Sequence, residues 1–356
     1  MGQCAIIALG ESPPIEGLRM TTAAQQFQRP SRDAWEVARD WLEAYGKAAI
    51  ATVIATWGSA PVPAGGQLVV GPEDRFEGSV SGGCVEVDVL TEAVDAMADG
   101  KPRLLTYGVA EETAWRAGLP CGGEIKVLIE PLSRADVAHI EAIVEARRER
   151  RSVVATGRLA DNTRRLYRQS DALPPEVADA FRSGNLALID TPEGQVLVQP
   201  LLPPLRVIVA GATHIGQVFA ELAQQVGYAV TVVDPRPAFA NADRFGAATM
   251  LAERPEAAFA DLGLDARTAV VALTHTAHID DEALIAALRA PCLYIGALGS
   301  RNTHAKRVER LRAEGFTEPE IARIHAPIGI AIGAKGPAEI AVSILAQIIK
   351  VARGAA

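Results

Sequence analysis

The sequence is poor in three features that each mark a large class of proteins. Only four of its 356 residues are cysteine, too few for a scaffold held together by disulfides. No apolar run approaches the length of about 18 residues that a membrane-spanning helix needs. Lys and Arg total 35 against 43 Asp and Glu, a net charge of -8, whereas a protein that binds nucleic acid concentrates basic residues. We therefore expect neither a membrane nor a nucleic acid among its partners.

Targeting signals are also lacking. The apolar run at residues 4–10 is short and no basic residue precedes it, unlike the start of a signal peptide. Ile6 stands where a myristoylation site has Ser or Thr. These features predict a cytoplasmic protein.

Length and composition predict two domains. Hydrophobic residues make up 49% of the chain, enough for two cores, and a domain averages about 150 residues. We expect a loose N-terminal tail over residues 1–30 and a first domain over 31–200. A linker rich in Leu and Pro follows over 201–205, and a second domain spans 206–356.

Apolar periodicity predicts a mixed α/β first domain. Its helices are expected over 34–46, with Ser31 as the N-cap, and over 85–97 and 133–151. Its strands are expected over 48–57, 67–70 and 124–130, followed by two strand pairs, 152–158 with 164–169 and 186–190 with 195–199.

From residue 206 strands and helices alternate with short connections. Strands are expected over 206–210, 229–234, 268–273 and 292–295, and helices over 214–226, 281–289, 302–314, 318–324 and 337–353. Such alternation is typical of a doubly wound parallel sheet, so the second domain is predicted to be Rossmann-like.

The first loop of this domain resembles a nucleotide-binding turn with one element changed. Gly211 follows the strand, Gly216 opens the helix, and Asp234 ends the next strand, where a carboxylate can meet a ribose hydroxyl. Thr213 replaces the middle glycine that lets a pyrophosphate approach the backbone, which argues against ordinary NAD(P) binding. Packing, or another anionic ligand, is the alternative use of this loop. His214 is then either an exposed residue of the helix start or a catalyst.

Two further loops follow strands at the edge where α/β sheets bind ligands. Residues 274–281 hold His275 and a second histidine beside two aspartates, but these lie at a helix start, where Asp is a good cap, and we expect no metal. Gly299, Ser300 and Arg301 offer amides, a hydroxyl and a guanidinium. They form either an anion site or a plain capped turn.

A cysteine lies directly at a helix start in the first domain. The run Ser81, Gly82, Gly83, Cys84 brings the thiol to the helix N-terminus, where the helix dipole lowers a thiol pKa. Glu86, two residues on, is either a proton handler or a hydrogen-bond acceptor.

A second thiol has the same neighbours. Cys121 precedes Gly122 and Gly123 just before a strand. One interpretation is that the cysteines are small buried hydrophobes and the glycines are turns. The repetition favours a ligand that approaches backbone and sulfur together. No Cys-x-x-Cys or paired His accompanies either thiol, which argues against zinc.

These segments resemble the XdhC/CoxI family of molybdenum-cofactor chaperones. In the first domain the resemblance lies in residues 55–61, 78–86 and 115–123. In the second it lies in residues 232–236, 272–275, 294–301, 325–329 and 332–341. It implies an XdhC/CoxI-like α/β domain followed by a Rossmann-like domain.

The resemblance also implies a function, which is accessory and not catalytic. Such a protein binds the molybdenum cofactor (molybdopterin or its cytosine dinucleotide form), assists its sulfuration, and inserts it into a xanthine-dehydrogenase-like or CO-dehydrogenase-like apo-hydroxylase. A cysteine desulfurase is a second expected partner, and a homodimer is the expected assembly. The alternatives are an NAD(P)-dependent oxidoreductase with a degenerate Rossmann loop and a thiol or metal module without enzymatic activity.

We infer that the thiol segments face the metal end of the cofactor and the Rossmann-like loops its phosphate end. The residues expected to contact the cofactor are Ser81, Gly82, Gly83, Cys84, Glu86, Cys121, Gly122, Gly123, Gly211, Thr213, His214, Gly216, Asp234, Arg236, His275, Gly299, Ser300 and Arg301. No catalytic residue is expected.

Overall fold

The structure, a computed structural model, describes residues 32–354 except Ser59, Asp74 and residues 109–122. The expected tail over 1–30 lies outside the described residues, as do Ser31, Cys121 and Gly122. The strands of the described part form sheets of five, four and six strands. None of the helices in this part combines the length and apolarity needed to cross a membrane.

The five-stranded sheet has the order β3-β2-β1-β5-β4, with every neighbour antiparallel. Its strands are β1 (Lys47–Trp57), β2 (Gln67–Val70), β3 (Phe76–Gly78), β4 (Arg103–Tyr107) and β5 (Glu124–Ser133). Three helices cover it: α1 (Ala34–Tyr45) and α3 (Val137–Arg148) on one face, and α2 (Glu86–Asp99) on the other.

The central strand β1 is apolar without alternation because both of its faces are covered. Ala48 and Ile50 belong to the core shared with α1 and α3. Ala49, Ala51 and Val53 belong to the core shared with α2. A continuous apolar run is what a strand buried on both faces requires.

One predicted N-cap and one predicted helix start in this part were wrong. The N-cap of α1 is Asp33, whose carboxylate accepts the N–H of Trp35 at 2.9 Å, and not Ser31. The helix expected from residue 133 begins at Val137, after a short 3-10 turn over Arg134–Asp136. Strand β4 was not predicted.

The four-stranded antiparallel sheet has the order β7-β6-β9-β8. Its strands are β6 (Val153–Arg158), β7 (Arg164–Arg168), β8 (Ala187–Thr191) and β9 (Gly194–Leu201), which confirms both predicted strand pairs. Helix α4 (Pro175–Ser183) was not predicted; it packs Val177 and Ala180 on the sheet. The division into domains at residues 201–205 stays a prediction.

The six-stranded sheet is parallel throughout, with the order β12-β11-β10-β13-β14-β15. Its strands are β10 (Arg206–Ala210), β11 (Ala229–Val233), β12 (Thr249–Leu251), β13 (Thr268–Ala272), β14 (Tyr294–Ala297) and β15 (Ile324–His325). Helices α5 (His214–Gln225) and α10 (Pro337–Ala352) cover one face. The other carries α6 (Pro255–Leu262), α7 (Ala277–Leu288), α8 (Arg301–Ala313) and α9 (Glu318–Ile321).

This order is that of a Rossmann sheet, so the expected doubly wound fold is confirmed. Some boundaries differ from the prediction: α7 begins at Ala277, before residue 281, and β14 runs over Tyr294–Ala297, not 292–295. The predicted helix 318–324 ends at Ile321, and α6, β12 and β15 were not predicted. The strand order reverses between β10 and β13, and a crevice at that point is where such sheets bind ligands.

Candidate functional site

The two glycines of the β10–α5 turn are required by close packing. Gly211 has a φ of 123°, and a Cβ there would lie 2.9 Å from the backbone of Leu273 and Thr274. A Cβ on Gly216 would lie 2.5 Å from the carbonyl oxygen of Gly211. The turn therefore brings α5 and the β13–α7 loop against the end of β10.

Thr213, which replaces the middle glycine, is the N-cap of α5. Its Oγ1 accepts the N–H of Gly216 at 3.2 Å, the usual task of a capping hydroxyl. His214 is the first residue of the helix and is exposed. The side chain of Thr213 thus has a structural task of its own within the turn.

Asp234 is fully buried, and its carboxylate is held by the protein itself. It accepts the N–H of Ala212 at 2.8 Å and the N–H of Arg236 at 3.0 Å. The guanidinium of Arg236 donates twice more, at 2.9 and 2.7 Å. Burial acts to raise the pKa of Asp234, but these hydrogen bonds outweigh it and leave that pKa below its ordinary value. The side chain is 0% exposed, so neither carboxylate oxygen is open to a ribose hydroxyl.

A second buried carboxylate, that of Asp280, lies in the first turn of α7. Asp280 accepts the N–H of Thr274 at 3.0 Å and its hydroxyl at 2.6 Å, both through Oδ1. Burial raises the pKa of Asp280 above its ordinary value. His275, directly after Thr274, has a φ of 60°, a conformation that non-glycine residues rarely adopt. Among the described residues, no group of three or more His, Cys, Asp or Glu is arranged to hold a metal.

The β14–α8 loop is a capped helix start. Ser300 caps α8 by accepting the N–H of Thr303 at 3.2 Å. Gly299 has a φ of 135°, and a Cβ there would lie 3.0 Å from Thr303. Arg301 is exposed in the first turn of α8.

Arg307, on the same helix, was missed by the sequence reasoning. Its side chain is 2% exposed, and its Nη2 donates to the carbonyl of Leu298 at 3.0 Å. Helix α8 contains Arg301, Arg307, Arg310 and Arg312, and no sequence signal distinguishes the buried arginine from the three exposed ones.

In the first sheet, the loop before α2 is wrapped around Glu86. One carboxylate oxygen accepts from the hydroxyl of Ser79 at 2.6 Å and from the N–H groups of Ser81 at 2.8 Å and Gly82 at 3.0 Å. The other oxygen accepts from the N–H of Gly83 at 2.8 Å and from the hydroxyl of Ser81. Glu86 thus accepts hydrogen bonds from its own loop; whether it contacts a cofactor stays a prediction.

These hydrogen bonds set the charge of Glu86. Burial acts to raise its pKa, but the hydrogen bonds from Ser79, Ser81 and Gly83 outweigh burial and lower that pKa to about 2. The carboxylate is therefore ionised at neutral pH and is a poor proton carrier.

Ser81 links this loop to Cys84. Its hydroxyl accepts the N–H groups of Cys84 and Val85, both at 3.0 Å, while it donates to Glu86. Gly82 and Gly83 have φ values of 79° and 117°, which L side chains rarely adopt. Cys84 is a free, half-buried thiol that directly precedes Val85, the N-cap of α2.

The second thiol segment is described only from Gly123 onward. Gly123 precedes β5, whose Glu124 pairs with Trp57 at the end of β1. Tyr107, at the end of β4, donates to Asp88 of α2 at 2.7 Å. Gly123 and the start of α2 therefore lie toward the same edge of the first sheet, where Trp57 is 77% exposed.

The structure brings the predicted residues together in two groups. One group is the Cys84 loop with Gly123, and the other is the edge formed by the loops after β10, β11, β13 and β14. Among the described residues, no hydrogen bond or ion pair joins the two groups.

A parallel Rossmann sheet and two antiparallel sheets, all covered by helices, define the class: a mixed α/β protein. Residues 207–348 match the XdhC Rossmann domain, and residues 41–108 match the XdhC and CoxI family. The chain belongs to the XdhC/CoxI family.

Individual relatives agree with this assignment. The molybdenum cofactor insertion chaperone PaoD of Escherichia coli (strain K12) is 30% identical over 308 residues, covering 86% of this chain and 84% of the relative. A protein of Bacillus subtilis (strain 168), named as a probable subunit of xanthine dehydrogenase, is 30% identical over 321 residues, covering 87% and 94%. A crystal structure described as a xanthine dehydrogenase from Bacillus halodurans superposes with a TM-score of 0.72 at 25% identity, covering 91% and 96%.

Proposed function

We propose that this chain binds the molybdenum cofactor as cargo and inserts it into a molybdenum hydroxylase of the xanthine dehydrogenase or CO dehydrogenase type, after assisting its sulfuration. Membership of the XdhC/CoxI family supports the proposal. So does a relative that is itself a molybdenum cofactor insertion chaperone. The form of the cofactor carried, molybdopterin or its cytosine dinucleotide, belongs to the proposal.

The observation that carries the proposal is that the Cys84 thiol stays free while the backbone N–H groups beside it are already hydrogen-bonded. The N–H groups of Ser81, Gly82 and Gly83 are all taken by Glu86. The loop therefore has no backbone donor left for an anion at these positions, and the half-buried thiol is its available chemical group. Thiolates are soft ligands that suit metals bound through sulfur, so we assign Cys84 to the metal end of the cargo.

The Rossmann edge supplies a different kind of contact, suited to a phosphate. Helices α5 and α8 begin there, and helix N-termini favour anions. The first residue of each helix, His214 in α5 and Arg301 in α8, is exposed. This edge is proposed to hold the phosphate end of the cofactor.

The first experiment loads the purified full chain with released molybdenum cofactor and counts retained molybdenum and pterin. We expect stoichiometric retention by the wild type and a loss of about tenfold or more in Cys84→Ala, because a metal–thiolate contact is removed. Cys292→Ala is the matched control, since Cys292 is buried in the core of the Rossmann sheet and burial raises its pKa to about 11. Equal retention by wild type and Cys84→Ala would remove this thiol from the proposal.

The competing function is an NAD(P)-dependent oxidoreductase. The Rossmann strand order favours it, but Thr213 caps α5 and Asp234 is held by Ala212 and Arg236. Calorimetry with NADH and NADPH distinguishes the two functions. Absence of binding at millimolar nucleotide ends the oxidoreductase alternative.

Sulfuration requires a source of sulfur, so we include a cysteine desulfurase among the proposed partners. A homodimer is proposed on the family resemblance alone. Co-purification with the desulfurase and the mass of the chain in solution test these two statements.

A further inference from the structure

Arg307 lies inside the Rossmann domain with most of its hydrogen-bonding capacity unused. Its side chain is 2% exposed. Nη2 donates to the carbonyl of Leu298 at 3.0 Å. Nε and Nη1 are both buried, and neither meets an acceptor among the described residues. A buried charged donor without an acceptor is costly and calls for an explanation.

The nearest carboxylate does not supply the missing acceptor. Asp280 Oδ2 is 3.9 Å from Nη2 of Arg307, too far for a hydrogen bond. Its Oδ1 is occupied by Thr274. Asp281 is taken by another arginine, Arg310, with an Nη2–Oδ1 distance of 3.0 Å. Burial lowers the pKa of Arg307, as expected for a cation that its surroundings compensate poorly.

The position of the guanidinium connects it to the ligand-binding edge of the sheet. The carbonyl it contacts belongs to Leu298, directly before Gly299 and the cap Ser300. Side chains on a helix point back toward its N-terminus. The hydrogen bond to Leu298 accordingly places the guanidinium of Arg307 close to the start of α8. A helix N-terminus favours an anion. One turn before Arg307, the Nδ1 of His304 is also buried without a partner among the described residues.

We propose that Arg307 is an anion-binding residue that receives a phosphate or pyrophosphate group beneath the loop of residues 298–300. The ligand oxygens accept from Nε and Nη1, while Nη2 stays on the carbonyl of Leu298. Nε and Nη1 do not share an edge of the planar guanidinium, so a single oxygen cannot accept from both. An anion with several oxygens, such as a phosphate or pyrophosphate group, therefore suits these donors. The proposal rests on the proposed function in one respect: the anion is the phosphate end of the cofactor.

Calorimetric titration of the full chain with inorganic pyrophosphate tests the site. Charge-assisted hydrogen bonds are the strong ones, so Arg307→Met is expected to weaken pyrophosphate binding by about tenfold or more. Arg310→Met is the matched control, because Arg310 lies on the same helix and already pairs with Asp281. Its affinity is expected to stay within about twofold of wild type. Equal affinity of Arg307→Met and wild type, or no binding by the wild type, overturns the proposal.

Two further measurements cover the case in which Arg307→Met does not fold. Arg307→Lys keeps the charge but loses the planar set of donors, and it is expected to bind pyrophosphate several-fold more weakly. Hydrogen exchange of the wild type needs no variant. Because Nε and Nη1 are buried, entry of the anion must displace the loop above them. Pyrophosphate is therefore expected to change exchange in residues 298–304, and unchanged exchange there contradicts the proposal.

The outcomes separate this inference from the proposed function. Arg307-dependent binding of pyrophosphate without retention of molybdenum leaves the anion site intact and removes the chaperone function. Full retention of the cofactor by Arg307→Met shows that the phosphate end of the cofactor does not bind at Arg307 and leaves the chaperone function intact.

Discussion

Glu86 determines the shape of the loop that carries Cys84. The carboxylate occupies the centre of a ring of N–H and hydroxyl donors from residues 79–83. Such rings of successive backbone N–H groups bind anions, and here the anion is the protein's own side chain. The glycine pair beside Cys84 allows the loop to close around this carboxylate, since both glycines have positive φ, which L side chains rarely adopt. At Gly83 this backbone conformation and not crowding favours glycine, because a Cβ there would meet no atom within 4 Å.

Replacing Glu86 by Gln tests this role. The amide nitrogen cannot accept, so several donors lose their acceptor and the free energy of unfolding is expected to fall by about 1–3 kcal/mol at neutral pH. Urea unfolding of the full chain measures the effect. Asp95→Asn on the same helix is the control, because Asp95 is exposed.

The pH dependence of this difference has a defined sign. Hydrogen bonding outweighs burial and lowers the pKa of Glu86 from 4.5 to about 2. A depressed pKa gives stability that is fully present above pH 4.5 and is lost as the pH falls toward 2. The advantage of wild type over Glu86→Gln should therefore be constant near neutral pH and shrink below pH 4.5. A difference that grows on acidification contradicts the assignment.

At the scale of the elements, the turn between β10 and α5 depends on its two glycines for close packing. Gly216 lies in the first turn of α5, against the carbonyl of Gly211. In a helix, alanine is ordinarily more favourable than glycine by about 1 kcal/mol. A loss of stability on replacing Gly216 by Ala would therefore report the close packing of α5 on β10.

Gly216→Ala is expected to lower the free energy of unfolding by about 1–3 kcal/mol, because its Cβ would lie 2.5 Å from a backbone oxygen. Gly336→Ala is the matched control at another helix start, where a Cβ meets nothing within 4 Å and φ is -104°. Thermal unfolding compares the two variants. Equal stability of both would show that α5 can move away from β10 at little cost.

At the scale of the whole molecule, the segment after β9 is held from both sides. Arg147, from α3, donates to the carbonyl of Leu202 at 2.7 Å. Arg150 donates to the carbonyl of Pro204 at 3.1 Å and to Asp265 at 3.0 Å. A segment that composition presents as a linker is therefore bonded to Arg147 and Arg150 at the end of α3 and, through the carbonyl of Pro203, to Arg267 directly before β13.

Arg150→Ala is expected to release this segment. Loss of a partly buried, multiply bonded arginine should cost about 1–2 kcal/mol and raise the rate of proteolytic cleavage near residues 201–205 several-fold. Arg151→Ala is the control, since Arg151 is exposed and, within the described part of the chain, forms an ion pair only with the exposed Glu149. Limited proteolysis at matched protease concentration measures the rates. An unchanged cleavage rate in Arg150→Ala would mean that other contacts hold the segment.

The order of residues along the chain was enough to predict the parallel Rossmann sheet, the main strands of the first sheet and the family. Each rests on local pattern: a strand buried on both faces is an apolar run, as in β1 and β10, and a tight turn needs glycine, as at Gly211. Short elements such as β12, with three residues, and α4, with nine, were missed, because so few residues give too short a window for an apolar period to be recognised.

The roles of the polar residues of the site emerge only in the folded chain. The enclosure of Glu86 depends on a loop folding back on its own helix. The Asp234 carboxylate accepts the N–H of Ala212, and the buried Arg307 donates to the carbonyl of Leu298. Each of these hydrogen bonds joins segments that come together only on folding. A carboxylate or guanidinium has the same sequence signature whether it is free, bonded or buried, because its role is set by the donors and acceptors around it.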